Sequence, residues 1–489
     1  MAQKLQPFQL RDVRQGRFNQ ANISEFLAPQ NSVAHSRNVN FDTTVGKAVV
    51  RKGTTLVGST IASNKTPLGF AEYVGKGGSP NYMMAVFSGA SNATAYYWNA
   101  SSWTATNKTA LSNTKLNRFA TLGGSVFMTN STDGMFDSAD GATFGTTNSI
   151  DTYKPSLVYR FNESLLASGD PTYPSRVWFS SVIAPASSPF ITWSTNASTG
   201  NWIDINPDDG GQVTGFAESS SFCLVFKSNG MYRLDTLNKS TDARNIFNIG
   251  AQSQENITAC QGIVYFFSGT GIWQTDGGFP QLISRAGVQD IIDAIPQSNW
   301  ASVAAGTDGL NVYFSVGTVT INANKDNAQT LTNCVLKFSP RDQSWSVHTY
   351  PVAHKFYTLF TDSTNGRVMR AATTAGDVRS INVGTTDSGT AINYELLTQD
   401  IEFGNRAHEK QISDKLTVFS TDGQGSYLSC LCDGEEIPIV GEFSKRVTVC
   451  KDVSLTGHFF NFRWFGTTSN NSPVFEGIYI EDITDNGNR

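Results

Sequence analysis

A short pattern recurs along this chain: an apolar strand containing Phe, a turn with Gly, then Met or Ile, then an aromatic residue. It reads "SVFMTNSTDGMF" at Gly134-Met135-Phe136, "FCLVFKSNGMY" at Gly230-Met231-Tyr232 and "IVYFFSGTGIW" at Gly271-Ile272-Trp273. Asp133-Gly134 and Asn229-Gly230 are hairpin signals, because the favoured two-residue turns have positions at positive φ that these residues accept. Met231 and Ile272 stand 41 positions apart, and Met135 and Met231 stand 96 apart, twice 48. Residues 155–181, "PSLVYRFNESLLASGDPTYPSRVWFSS", fill the missing unit.

Degenerate copies extend the series on both sides. Upstream lies "YMMAVFSGASNATAYYWNASSWTAT" (Tyr82 to Thr106). Downstream lie the stretch from Leu310 to Pro351 and "FYTLFTDSTNGRVMRAATTAGDVRSIN" (Phe356 to Asn382). About seven units fit between roughly residues 67 and 390, and six or eight are compatible with the spacing. Periods in the forties with several short strands each match the blades of a β-propeller. A four-stranded sheet has two apolar faces, and stacking such sheets in a circle buries both. A plain assembly of β-sandwiches is the competing arrangement. Gly46 to Gly58, "GKAVVRKGTTLVG", is the candidate strand that closes one blade from outside the series.

One helix interrupts the pattern. In "VQDIIDAIP", Val288, Ile291, Ile292 and Ile295 fall at i, i+3, i+4 and i+7, and Pro296 ends the stripe. It reads as a packing helix at a blade edge. From Ile392 onward the apolar residues alternate at period two with longer loops, which predicts an antiparallel β-sandwich after a join at "TDSGTAINY". The expected organisation is an N-terminal segment over 1–66, a β-propeller over 67–390 and a C-terminal β-sandwich over 391–489.

Composition agrees with an all-β chain. Of 489 residues only 16% are charged, while Gly numbers 43 and Phe 32; helix formers are sparse and strand and turn formers abundant. The formal charge of −5 comes from 36 basic and 41 acidic residues without a run of five like charges. A sequence-reading nucleic-acid binder needs a basic face to neutralise phosphates, and none is evident. The first twenty residues have no apolar core of a secretory signal, and no apolar stretch is long enough to span a membrane. The expectation is a soluble protein made in a cytoplasm, not inserted in a membrane. Triplets such as Asn99-Ala100-Ser101 and Asn256-Ile257-Thr258 then follow from composition and are not read as glycan sites.

The chemistry-bearing residues do not converge. Six cysteines, Cys223, Cys260, Cys334, Cys430, Cys432 and Cys450, sit mostly in strand-like contexts and read as buried free thiols. Cys430 and Cys432 share a strand face with Cys450 as a candidate neighbour, but the paired spacers of a zinc site are missing. His35, His348, His354, His408 and His458 show neither zincin spacing nor a nucleophile arrangement; they read as surface or structural. "SADGATF", Ser138 to Phe144, is similar to the Asp-box turn of sialidase-like propellers, one residue short, and no arginine triplet accompanies it. The sequence nominates no catalytic, metal or cofactor-binding residue and no cofactor, and it does not identify binding residues. A non-enzymatic protein is expected.

Four stretches together carry a resemblance. "APQNSVAHSRNVNFDTTVGKAVVRKGT" has an Asn-containing strand, Asn38-Val39-Asn40-Phe41, then Gly46, then Arg51-Lys52-Gly53, and resembles the opening of many tailed-phage virion proteins. Residues 176–235 are similar to their paired blade strands. "GIWQTDGGFPQLISRAGVQDIIDAI" with its short helix follows, and then "VLKFSPRDQSWSVHTYP" with its Asp342–Trp345 turn. In style, over most of its length, the chain resembles the tail hub or nozzle proteins of short-tailed bacteriophages, also called packaged-DNA stabilisation proteins. The resemblance implies a structural virion subunit assembled in the host bacterial cytoplasm. It implies a ring of copies, a hexamer by family habit, below the portal and adaptor and beside tail fibres or spikes. Such a ring retains packaged double-stranded DNA and conducts it during ejection. A receptor- or glycan-binding virion protein is the alternative, and a propeller glycosidase a more distant one.

Overall fold

The computed structural model describes residues 3–13, 15–18, 32–44, 46–61, 65–75, 81–150, 152–184, 187–196, 200–219, 222–235, 237, 244–322, 328–362, 366–421, 426–440, 446–468 and 471–487. Residues 28–31 and Val45 of the N-terminal motif lie outside the described residues.

Among the described residues, seven small antiparallel sheets follow one another along the chain. Blade 1 holds strands Pro67–Tyr73, Tyr82–Phe87, Thr94–Trp98 and Trp103–Ala105. Blade 2 holds Arg118–Leu122, Ser125–Asn130 and Gly134–Ser138. Blade 3 holds Leu157–Phe161, Ser164–Ser168, Arg176–Phe179 and Trp202–Asp204. Blade 4 holds Val213–Ser219, Phe222–Lys227, Gly230–Leu234 and Arg244–Phe247. Blade 5 holds Ile257–Cys260, Ile263–Phe267, Ile272–Thr275 and Gln281–Leu282. Blade 6 holds Ala304–Thr307, Val312–Ile321, Gln329–Ser339 and Ser344–Thr349. Blade 7 holds His354–Asp362, Gly366–Thr373 and Val378–Ile381, and its fourth strand is Thr54–Leu56 from near the N-terminus.

The first strand of each sheet touches the first strand of the next, and that of blade 7 touches that of blade 1. The ring is therefore closed. Seven separate apolar cores, one between each pair of neighbouring sheets, make the same statement in side chains. This is a β-propeller.

The recurring motif is explained by those cores. Successive residues of a strand point to opposite faces, so Met135 enters the core between blades 2 and 3 while Phe136 packs against that between blades 1 and 2. Met231 and Tyr232 divide in the same way between the 4/5 and 3/4 cores, and Ile272 and Trp273 between the 5/6 and 4/5 cores. Each fully buried side chain of this size contributes about 1.5–3 kcal/mol, and each motif pair fastens its blade on both sides. Gly134 follows the turn argument, with φ +89°, and Gly230 does not, since its φ is not positive. Gly271 serves close packing: a Cβ there would lie 2.4 Å from Leu282 Cδ1.

Of the candidate closing segment Gly46–Gly58, only Thr54–Leu56 joins a blade, pairing with Val378–Ile381. Ala48–Val50 joins another sheet. Gly53 lets the closing strand enter: its N–H donates to Gly384 O at 2.9 Å, and a Cβ would fall 1.9 Å from Thr386 O. The obstacle is backbone and cannot swing aside. Gly53→Ala is expected to destabilise the protein by about 1–3 kcal/mol, read as a lower midpoint in urea at unchanged slope.

The helix spans only Gln289–Asp293, shorter than its apolar stripe. Val288 and Ile295 flank it, and all four stripe residues are buried in the core between blades 5 and 6.

Two larger sheets take strands from both ends of the chain, so residues 391–489 do not form them alone. The seven-stranded sheet joins Val447–Gly457, Glu409–Thr421 and Val474–Gly487 to Ala48–Val50, Val39–Asn40, Gln3–Lys4 and Phe8–Leu10. The five-stranded sheet runs Val33–Arg37, Asn393–Thr398, Phe460–Thr467, Ser426–Cys432, Glu435–Val440. One apolar core that includes Val33, Val39, Leu396, Trp464 and Ile480 serves both sheets. Val33 and Val39 alternate with polar neighbours and needed such a core; the propeller, already closed, had none to offer.

Candidate functional site

Among the described residues buried polar groups gather at several places; two bear on how the molecule is held together, the seam between the propeller and the large sheets and the propeller axis.

The seam is built from the N-terminal motif. Asn38 sits at φ +61°, a conformation Asn tolerates better than most residues. Its Oδ1 accepts from Arg51 Nε at 2.9 Å and Thr349 N at 2.8 Å, and its Nδ2 donates to Thr349 Oγ1 at 3.0 Å and Asn393 O at 2.7 Å. Thr349 belongs to blade 6 and Asn393 to the five-stranded sheet, so one amide ties both modules. Arg51 is 1% exposed. It forks onto Asp387 with contacts of 3.0 and 2.5 Å, donates to Thr349 O at 2.7 Å and lies 4.1 Å from the centre of the Tyr350 ring. Asn40 Oδ1 accepts from Lys337 Nζ at 3.1 Å and meets His348 Nε2 at 3.0 Å, while Lys337 also donates to Asp42 at 2.7 Å. Arg17 forks onto Asp290 in the first turn of the short helix, at 2.7 and 2.5 Å. Bidentate arginine–carboxylate pairs fix orientation as well as adding energy. The arrangement fastens; its donors and acceptors are turned on one another.

Histidines lie in and beside this seam. Burial, reinforced by the charges of Arg51 and Lys337, holds His348 well below its ordinary pKa. Burial with Arg51 and Arg379 lowers His354 to about 3. His35, lowered by burial and by Arg17 against the opposing pull of Glu395, titrates at about 4. His348 and His354 are buried, not on the surface. His458 pairs with Asp433 and His408 with Asp485, both at partly exposed positions.

The axis is closed by an ion pair. Arg118, at the start of the inner strand of blade 2, meets Glu255, just before that of blade 5, through two contacts of 2.9 Å. Those blades are three apart in a ring of seven, so the pair spans the bore. Burial pushes the Glu255 carboxyl up, but Arg118 and local hydrogen bonds outweigh it, and the net shift is downward. Beside the pair is a cavity of about 210 Å³ lined by residues that include Phe70, Phe119, Tyr159 and Lys355. Gln254 shows that the inner strand edges look for partners: its side-chain amide accepts from Phe216 N–H at 2.7 Å and donates to Phe216 O at 3.0 Å. None of Arg118, Gln254, Glu255 and Lys355 stands out in the sequence. Their shared signal, a polar residue at the start of an inner strand, is visible only once the blades are aligned in space.

The cysteines are free and buried. Cys430 and Cys432 sulfurs lie 3.8 Å apart, in the core that also holds Cys450. Among the described residues no group of three or more His, Cys, Asp or Glu is placed to hold a metal ion. The "SADGATF" turn is structural: Asp140 Oδ1 accepts from Ser138 Oγ, Ala142 N and Thr143 N within 2.8 Å. No helix among the described residues is long and apolar enough to cross a membrane.

No protein-family model matches the chain, and no curated protein does. Among solved structures it is similar to BBS1N in complex with ARL6DN, at 10% identity and TM-score 0.43, covering 70% of this chain and 98% of that one. It is similar to the β-propeller domain of Cps50 (Swd1) from Myceliophteria thermophila, at 10% identity and TM-score 0.41, covering 68% and 99%. It is also similar to YCF48 from Cyanidioschyzon merolae, at 10% identity and TM-score 0.40, covering 68% and 99%. All three scores fall below 0.5, and the propeller assignment rests instead on the ring of inner strands and the seven cores between blades.

Proposed function

We propose that this chain is a structural subunit of a short-tailed bacteriophage tail, a hub or nozzle protein that assembles into a ring, retains packaged DNA and conducts it during ejection. The observation that carries the reading is the fate of the N-terminal motif. The residues in which the chain resembles virion proteins, Asn38, Asn40 and Arg51, are spent on welding the propeller to the large sheets. A subunit that bears the pressure of a packed genome needs its modules locked together. The second module is read as a β-sandwich that presents loops to neighbouring copies and to the adaptor.

The closed axis constrains the proposal. A duplex whose major groove alone is about 12 Å wide does not enter a cavity of about 210 Å³ walled on one side by an ion pair. The conduit therefore lies between copies, not along the axis of one propeller. The net charge of −5 suits a wall along which phosphates slide, since each basic contact avoided lowers a salt-dependent affinity. Gold-labelled antibody to the protein is expected at the axial tail of the virion, below the portal. Labelling on a fibre tip, with glycan-array hits, favours the receptor-binding alternative and contradicts the proposal.

A further inference from the structure

The propeller axis contains a charge that the chain does not balance. Its cavity holds three charged side chains, Arg118, Glu255 and Lys355. Glu255 spends both oxygens on Arg118, and Arg118 gives its remaining terminal group to Ser156 O at 3.1 Å. Lys355 has no ion-pair partner among the described residues. Leaving a half-buried ammonium uncompensated is unfavourable.

Backbone geometry aims Lys355 at this place. It is the extra residue of a β-bulge in the inner strand of blade 7, between His354 and Phe356. Bulges re-aim side chains. Two other inner strands have a bulge at the same point, at Leu68 in blade 1 and Thr214 in blade 4. There the residue is absorbed: Leu68 is buried in an apolar core, and Thr214 Oγ1 donates to Phe226 O or Ala251 O, at 3.1 and 2.7 Å. Of these three described bulges, that of blade 7 alone carries a cation. The cavity's other walls include Phe70, Phe119 and Phe356, and its volume of about 210 Å³ is several times the share of liquid volume, about 30 Å³, of one water.

We infer that the axial cavity binds a small organic carboxylate with an apolar body, its carboxylate against the Lys355 ammonium and its body against the phenylalanines. Polar groups converging beside apolar walls are the usual build of a small-ligand site, and here Lys355 and Gln254 face Phe70, Phe119 and Phe356 across one cavity. Lysine brings three donors, and Arg118, already engaged, supplies field more than hydrogen bonds. The inference does not depend on ring formation or on a virion role.

Benzoate is the probe. Thermal unfolding of the full chain is followed in benzoate, in benzyl alcohol and in sodium chloride at matched ionic strength. Benzoate raises the midpoint saturably, as a ligand of the folded state does, and the other two do not. Lys355→Met keeps the stem and removes the charge; it weakens the benzoate response at least tenfold, and its ligand-free midpoint equals or exceeds the parent's. Ala71→Leu narrows the cavity with Lys355 in place and gives the same loss, so the test survives a misfolded lysine variant. Equal midpoints in benzoate and chloride overturn the inference. So does a folded Lys355→Met chain that responds to benzoate as the parent does.

Discussion

Arg51→Met is expected to destabilise the protein by about 3–5 kcal/mol, because breaking a buried ion pair on one side strands the other charge. Arg51 and Asp387 are 1% and 3% exposed. The methionine keeps roughly the length of the stem, so little packing is lost. Asp387 keeps a hydrogen bond from Thr54 Oγ1 at 3.3 Å, too little for a buried carboxylate. Asn38 Oδ1 and Thr349 O each lose a donor as well. The seam then has fewer ties between blade 6 and the large sheets, and unfolding in urea should separate into two transitions where the parent shows one. The double variant Arg51→Met/Asp387→Leu removes the stranded charge and should be less destabilised than Arg51→Met alone. If the two single effects simply add, the pair is not what holds the seam.

Acid is expected to unfold the protein well above the pH at which carboxylates alone would do so. His35, His348 and His354 are neutral in the folded state, with His35 lowered to about 4, His354 to about 3 and His348 well below its ordinary value. Unfolded, each binds a proton near pH 6.5. Above that pH their contribution is fully present. As pH falls below it the unfolded state takes up protons that the folded state refuses, and stability drops by up to about 1.4 kcal/mol per pH unit for each group. The loss continues until each folded-state pKa is reached, amounting to about 3 kcal/mol for His35 and about 5 kcal/mol for His354. By pH 4 His35 and His354 have each cost about 3 kcal/mol, enough to bring a chain at the lower end of the usual range of about 5–15 kcal/mol to its unfolding midpoint. Carboxylates with lowered values, such as Glu255, Asp209 and Glu436, act in the same direction at lower pH. His354→Asn should flatten the acid limb measured as urea midpoint against pH. Arg51→Met should flatten it too, since Arg51 depresses both His348 and His354. An acid limb unchanged by both substitutions contradicts the assignment.

The blades were legible in the sequence because their signal is local. Gly134-Met135-Phe136 and its counterparts record an alternation that each blade must satisfy against two neighbours, whatever the neighbours are. The seam was not legible. Asn38 and Asp387 lie far apart in sequence, and nothing in "NVNFD" or "TTDSG" says that Arg51 joins them. The N-terminal strands misled for a related reason: residues 46–58 read as one strand, but Arg51 and Gly53 turn the chain so that Val50 goes to one module and Thr54 to the other. Nothing in the sequence tells whether His348 and His354 lie on the surface or inside, because a lone histidine carries no pattern; the structure buries both. The axial residues escaped because an inner strand edge is defined by seven distant segments together.

The conduit proposal meets its most direct test in a cryo-EM reconstruction of the purified protein or the virion tail. The account predicts a closed ring of copies, each a seven-bladed propeller fused to the large sheets, around a shared lumen wide enough for a duplex and not strongly basic. A population of monomers alone, a strongly basic lumen, or DNA density running through the axis of a single propeller would contradict it.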